Sequence, residues 1–295
     1  MSAPPTVTAE PFVDGLRFGE CPRWHQGRLW YSDFYQGTVA SAGPAGDVRV
    51  ELEVPGEPAG LGWLPDGRLL VVARKPRTVL RLEPDGRLVE HGDLNPAATF
   101  HANDMVVDGA GRAYVGNFGF DLDRFIEERG PAALLGPPTA SVIRVDPDGT
   151  AHVAAEGLSF PNGMVVTPDG RTLVVAETLA GRLTAFDLGE DGTLSGRRPW
   201  AELPRVAPDG ICLDEQGRVW VANARAPECL LVEEGGTIVG RVATSQPCFA
   251  CMLGGEDRRT LFAVTAATSI ESEVSRTRSG RIEQARVEVG GAGLP

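Results

Sequence analysis

Six segments of this chain repeat one pattern of strand, tight turn and strand. They are GECPRWHQGRLWYSDF, PAGLGWLPDGRLLVVAR, ANDMVVDGAGRAYVGN, PNGMVVTPDGRTLVVAET, PDGICLDEQGRVWVAN and FACMLGGEDRRTLFAVTA. Their turn glycines are Gly27, Gly67, Gly111, Gly170 and Gly217, with Asp257 at the matching point of the sixth, so the intervals are 40, 44, 59, 47 and 40 residues. Asp, Asn and Gly supply the positive φ that a tight hairpin needs. The runs that follow, such as RLLVVA and RVWVA, suit short buried strands. A period of this size with several strands per unit marks a propeller blade, because one small sheet cannot cover both of its faces without neighbours.

The expected architecture is therefore all-β: a six-bladed β-propeller, one domain over residues 1–295, with residues 1–6 as a loose tail. The 59-residue interval holds NFGFDLDRFIEERGPAALLGPP, residues 117–138, whose middle looks helical. It reads as an insertion over one mouth of the ring. With 37 Gly, 23 Pro and 42% hydrophobic residues, the composition fits many short strands and turns and excludes a disordered chain.

A net charge of −12 and a single lysine, Lys75, argue against binding nucleic acid or an anionic membrane, both of which need clustered positive charge. Apolar runs fall short of the roughly 20 residues of a membrane span, and MSAPPTVTAE has no signal-peptide pattern, so a cytoplasmic location is expected. Five cysteines without framework spacing fit reduced thiols. Cys248-x-x-Cys251 begins a propeller strand with no helix after it, and reads as packing rather than redox chemistry.

Counting back from the turn glycine places Glu20 at minus seven and Asn103, Asn162 and Asp209 at minus eight, while Ala59 or Gly60 and Phe249 hold the matching places in the other two blades. The first strand of each blade lines the central channel, so equivalent positions form a ring. Two carboxylates and two amides pointing inward are costly without a partner. A divalent cation resolves this, and an all-oxygen set favours Ca²⁺, with Mg²⁺, Mn²⁺ or Zn²⁺ as alternatives. Four protein ligands leave positions for water or substrate. Asn-Gly and Asp-Gly are also ordinary turn dipeptides; coincidence of register across four blades is what separates these from turns.

GECPRW, NDMVVDGAGRAYVGN, FPNGMVVTPDGRTLVVAET, APDGICLDEQGRVWVAN and CMLGGEDRRTLFAVTA resemble the SMP-30/gluconolactonase/LRE family, also called regucalcin-like proteins. That family includes sugar-lactone hydrolases and is related to squid-type diisopropyl fluorophosphatase. The resemblance, which runs from about residue 14 to 292, implies one divalent metal on Glu20, Asn103, Asn162 and Asp209, with Asp209 as the base for water. Mammalian members carry an Arg two residues before the first metal-binding Asn, where this chain has His101, and Phe118, Phe120, Phe160 and Phe249 make the mouth more apolar than a sugar site needs. Asp104 is the second catalytic candidate, as a partner of Asn103 or of water; His101 and Asn117 are candidates for substrate contact. Arg23 and Glu177 are weaker ones.

The expected activity is metal-dependent opening of a lactone ring, on a sugar lactone or a more apolar one. A fluorophosphatase or phosphotriesterase on the same site, and a calcium-binding protein without turnover, are the alternatives. A strictosidine-synthase-like condensing enzyme shares the propeller but does not rely on this oxygen set. The partner expected is a small-molecule lactone or ester, with no obligate protein partner. GxSxG, HExxH, P-loop and GxGxxG motifs are absent.

Overall fold

The structure is a computed structural model that describes residues 4–130 and 136–293. Six sheets form a ring, each built from neighbouring antiparallel strands. The inner strands are Gly19–His25, Pro58–Trp63, Ala102–Val107, Pro161–Val166, Pro208–Leu213 and Cys248–Gly254, which open blades one to six in turn. The polarity of each blade falls out of its sequence. Second strands such as Leu69–Ala73 are buried along their whole length, whereas the outermost strand Val48–Glu53 alternates Val and charge and is exposed. Continuous β-branched runs are tolerated only where neighbouring blades cover both faces.

Gly27, Gly67, Gly111, Gly170 and Gly217 all adopt positive φ, between 69° and 87°. The sixth turn has no glycine at Asp257 and is carried instead by Gly255 and by Arg258 at φ 58°. Gly163 and Gly210, by contrast, lie inside inner strands and are selected for space. A Cβ on Gly163 would stand 2.6 Å from the Asp209 carbonyl oxygen, and one on Gly210 would stand 2.7 Å from Ala250 Cα. The Asn162-Gly163 and Asp209-Gly210 dipeptides are thus places where inner strands converge on the axis, not turns.

Two features of the N-terminal segment were not legible in the repeat. Glu10–Leu16 pairs antiparallel with Gly280–Arg286 and completes blade six, so that blade is assembled from distant parts of the chain. Thr6–Thr8 adds a parallel fifth strand to blade five, and the Arg241 N–H donates to the Pro5 carbonyl. The tail expected over residues 1–6 is therefore shorter, because Pro5 and Thr6 are tied to blade five; residues 1–3 lie outside the described residues.

Within residues 117–138, Leu122–Arg129 forms a helix, and 131–135 lie outside the described residues. Among the described residues no helix is long and apolar enough to cross a membrane. All five cysteines are free and buried. Cys248 Sγ lies 3.2 Å from Cys229 Sγ and Cys251 Sγ 3.9 Å from Cys212 Sγ, so the Cys248 and Cys251 thiols each face another strand, as packing requires.

Candidate metal centre and cavity

In every blade the inner hairpin slips register at one level: between Glu20 and Arg23, Pro58 and Leu61, Ala102 and Met105, Pro161 and Met164, Pro208 and Ile211, and Cys248 and Ala250. Such bulges re-aim side chains. Glu20, Asn103, Asn162 and Asp209 stand at or inside four of them, and all four line one cavity of about 320 Å³. Each is at least nine-tenths buried.

Asn103 Nδ2 donates to Asn162 Oδ1 at 2.9 Å, and Asn162 Nδ2 donates to Thr178 Oγ1 at 3.2 Å. Thr178 in turn donates to the Pro208 carbonyl at 2.7 Å. The amides are thereby locked into the wall. Asp209 Oδ1 is buried without a hydrogen-bond partner. Burial and then the nearby Asp104 carboxylate push the Asp209 carboxyl well above the usual carboxylate range, while the Asn162 amide and the Gly210 N–H oppose the rise. Glu20 is pushed up by burial, by Asp209 and by Asp104, against the Cys21 N–H and Arg23. Two crowded acids, two amides and an orphaned oxygen are the chemistry of a hard-cation site. Among the described residues no three His, Cys, Asp or Glu side chains gather as a metal cluster, so any cation here depends on the amide oxygens.

Asp104 does not do what was expected of it. Its Oδ1 accepts from Arg23 Nη2 at 2.8 Å and from the Met105 N–H at 2.7 Å, and Arg23 also donates to the Met105 and Pro22 carbonyls. Both side chains are buried and neither lines the cavity. The other blades hold Cys21, Gly60, Gly163, Gly210 and Ala250 at this level, so Asp104 is an axial charge neutralised by Arg23.

Asn117, expected to contact substrate, likewise stands off the cavity wall. It ends the second strand of blade three, fully buried, and its Nδ2 donates to the Ser141 carbonyl at 2.8 Å. The matching residues elsewhere hold the loop that enters the inner strand: Asp33 accepts from the Arg17 and Phe18 N–H groups, Glu177 from Ser159, and Asn223 from Ala207. Glu177 also takes Arg182 and Thr184, and these donors outweigh its burial and hold its carboxyl below the usual range. A depressed carboxyl adds stability above the unfolded-state pKa that is lost as pH falls through the folded one. Glu177→Ala is expected to cost about 2–4 kcal/mol at pH 7, measured by urea unfolding, and less at pH 4.

His101 does line the cavity. It stacks on Phe100 at 4.0 Å between centroids and meets Phe118 edge-on at 6.3 Å. Burial, with Arg74 and Lys75 nearby, lowers its pKa to about 4, so it is neutral at pH 7. Phe118, Phe160 and Phe249 also reach the cavity, whereas Phe120 packs on Phe125. Sequence reasoning missed Phe18, Phe34, Tyr35, Phe100 and Arg74 in the same wall. Arg74 is chelated by Glu57 at 2.9 and 2.6 Å, and Lys75 bridges Glu57 to Glu271 of the short helix Glu271–Val274.

The chain matches the SMP-30/Gluconolactonase/LRE-like region over residues 18–267. It is 29% identical over 275 residues to Pentonolactonase XacC of Haloferax volcanii, covering 88% of this chain and 86% of that protein. It is 27% identical over 300 residues to 6-deoxy-6-sulfogluconolactonase of Pseudomonas putida, covering 98% and 96%. Regucalcin of Agrobacterium tumefaciens, a calcium-binding protein, has the same fold, with a TM-score of 0.79, 18% identity and 99% coverage of both chains.

Proposed function

Because the chain belongs to the SMP-30/gluconolactonase/LRE-like family, we propose that it hydrolyses a lactone in the axial cavity, with a divalent cation, Ca²⁺ foremost, held by Glu20, Asn103, Asn162 and Asp209. One observation carries the reading: two buried carboxylates and two amides share the cavity wall, and Asp209 Oδ1 lacks a protein partner. The pentonolactonase and sulfogluconolactonase relatives support a lactone as the substrate class. When bound, the cation supplies Lewis-acid polarisation of the carbonyl and offsets the charge that develops there.

The remaining work falls to the chain. Asp209 Oδ1 accepts the proton of the attacking water as the water oxygen bonds to the carbonyl carbon. The ring C–O bond then breaks, and that proton passes to the departing ring oxygen, so that one water is added and a hydroxy acid leaves. Thr178, fixed on the Pro208 carbonyl, holds the Asn162 amide beside Asp209. The aromatic wall keeps bulk water out, which strengthens each charge interaction inside. Neutral His101 offers a flat face rather than a cation.

The test is acid release from a lactone panel and a phosphotriester, with the protein stripped by chelator and then restored with Ca²⁺, Mg²⁺, Mn²⁺ or Zn²⁺. Stripping is expected to reduce lactone turnover by about a hundredfold or more, with recovery on Ca²⁺. At a hundred times its Kd, the cation should also add about 2.7 kcal/mol of stability, read as a rise in Tm. Undiminished turnover after stripping overturns the cation assignment. Turnover of the phosphotriester alone favours the phosphotriesterase reading, and tight Ca²⁺ binding with no ester hydrolysed favours a binding protein.

A further inference from the structure

We propose that the lactone taken by this cavity carries a flat apolar group, fused to or borne on the ring, and that polyhydroxylated aldonolactones are poor substrates; this rests on the lactone-hydrolase reading above. The observation is a connected aromatic collar around the oxygen cluster. Phe249 packs on Phe18 at 4.9 Å between centroids, and Phe18 on Phe34 at 5.5 Å and on Tyr35 at 6.2 Å. The Arg74 guanidinium carries the surface across blade two, lying 4.8 Å from the Phe34 ring centroid and 5.6 Å from that of Phe118. Phe118 stacks on Phe160 at 4.6 Å, and the stacked Phe100 and His101 rings extend the same wall. The chain has 11 Phe and 3 Tyr in 295 residues, so the gathering of six Phe and one Tyr at one cavity is a concentration that blade packing alone does not require.

Position explains the collar. Phe18, Phe100 and Phe160 are the residues or near neighbours that enter inner strands, while Phe34, Arg74 and Phe118 each follow the end of a second strand. Loop positions at this rim thus present planar groups in blades one to four, whereas the places after the second strands of blades four to six hold Thr178, Ala224 and Ala266.

Two polar side chains of this wall are already committed. Arg74 is held by Glu57, and Thr178 by Asn162 and the Pro208 carbonyl. Asp121, Ser269 and Arg225 are exposed at the rim, and Asp121 Oδ1 accepts from the Arg124 N–H at 3.1 Å. A ring bearing several hydroxyls would set them against Phe faces, where each loses water without gaining a partner. A flat apolar group gains offset or edge-on contact with the same faces.

The experiment compares kcat/KM for a benzo-fused δ-lactone and for glucono-δ-lactone, with Ca²⁺ present, in the parent protein, in Phe118→Ala and in Phe118→Leu. The parent should prefer the benzo-fused lactone. Phe118→Ala should lower that preference about tenfold through KM, and Phe118→Leu should retain most of it. Equal or better turnover of the glucono-lactone, or an equal loss on both substrates in a variant with parental Tm, overturns the proposal. Calorimetric binding of the matching benzo-fused lactam and gluconolactam separates the two levels. Selective lactam binding without any lactone turnover sinks the hydrolase reading and keeps the apolar site; lactone turnover with tighter gluconolactam binding sinks the apolar site alone.

Discussion

Asp209→Asn is expected to lower kcat/KM for the lactone by about a thousandfold or more while leaving the cation-free protein at least as stable as its parent. The two effects have one cause. The Asp209 carboxylate is buried, raised in pKa by that burial and by Asp104, and unpartnered at Oδ1, so its charge opposes the folded state. Asparagine keeps the shape and removes the charge. It also removes the proton acceptor and half of the cluster's carboxylates. Lactone kinetics and thermal melting with and without Ca²⁺ check both halves: the parent Tm should rise with Ca²⁺ and that of the variant should barely move. Turnover within tenfold of the parent would remove Asp209 from the chemistry.

Arg23→Met is the second large effect, expected to destabilise the protein by about 3–5 kcal/mol. Arg23 donates to Asp104 and to the Met105 and Pro22 carbonyls where water does not reach. Its loss leaves Asp104 uncompensated beside Glu20 and Asp209, whose carboxyls it already pushes up. Urea unfolding reads the loss, and Arg23→Met combined with Asp104→Asn should recover most of it. Asp104→Asn alone should keep turnover within about tenfold of the parent, since the amide oxygen still accepts from Arg23 and Met105. A thousandfold loss there would restore Asp104 to the reacting groups.

The oxygen quartet was legible because register is periodic: a position counted from a turn glycine is a height on the axis, and side chains at one height meet. Asp104 and Asn117 were misjudged because proximity in sequence to Asn103 and to the helical segment says nothing about facing. The bulge after Ala102 sends Asn103 into the cavity and Asp104 toward Arg23, a partner 81 residues away. Asn117 looked like the gateway to the 117–138 segment, yet it ends a second strand, as Asp33, Glu177 and Asn223 do, and is buried with its amide on the Ser141 carbonyl. Half of the collar escaped because rim loops follow no hydrophobic period. A Phe before one strand and a Phe after another look unrelated until the ring brings them together. The pairing of Glu10–Leu16 with Gly280–Arg286 escaped for the same reason, since nothing local in either strand names its mate.

That last pairing governs the order in which the molecule can be made. Blade one abuts a blade whose outer strand leaves the ribosome early and whose inner strand leaves late, so the circle stays open through most of synthesis. Glu20 emerges long before Asp209, and the cage they share is complete only once such distant stretches have met, a search whose entropic toll makes folding slow. The ring can close only after Cys248–Gly254 has been made, and the proposed site is complete only with that closure rather than growing blade by blade.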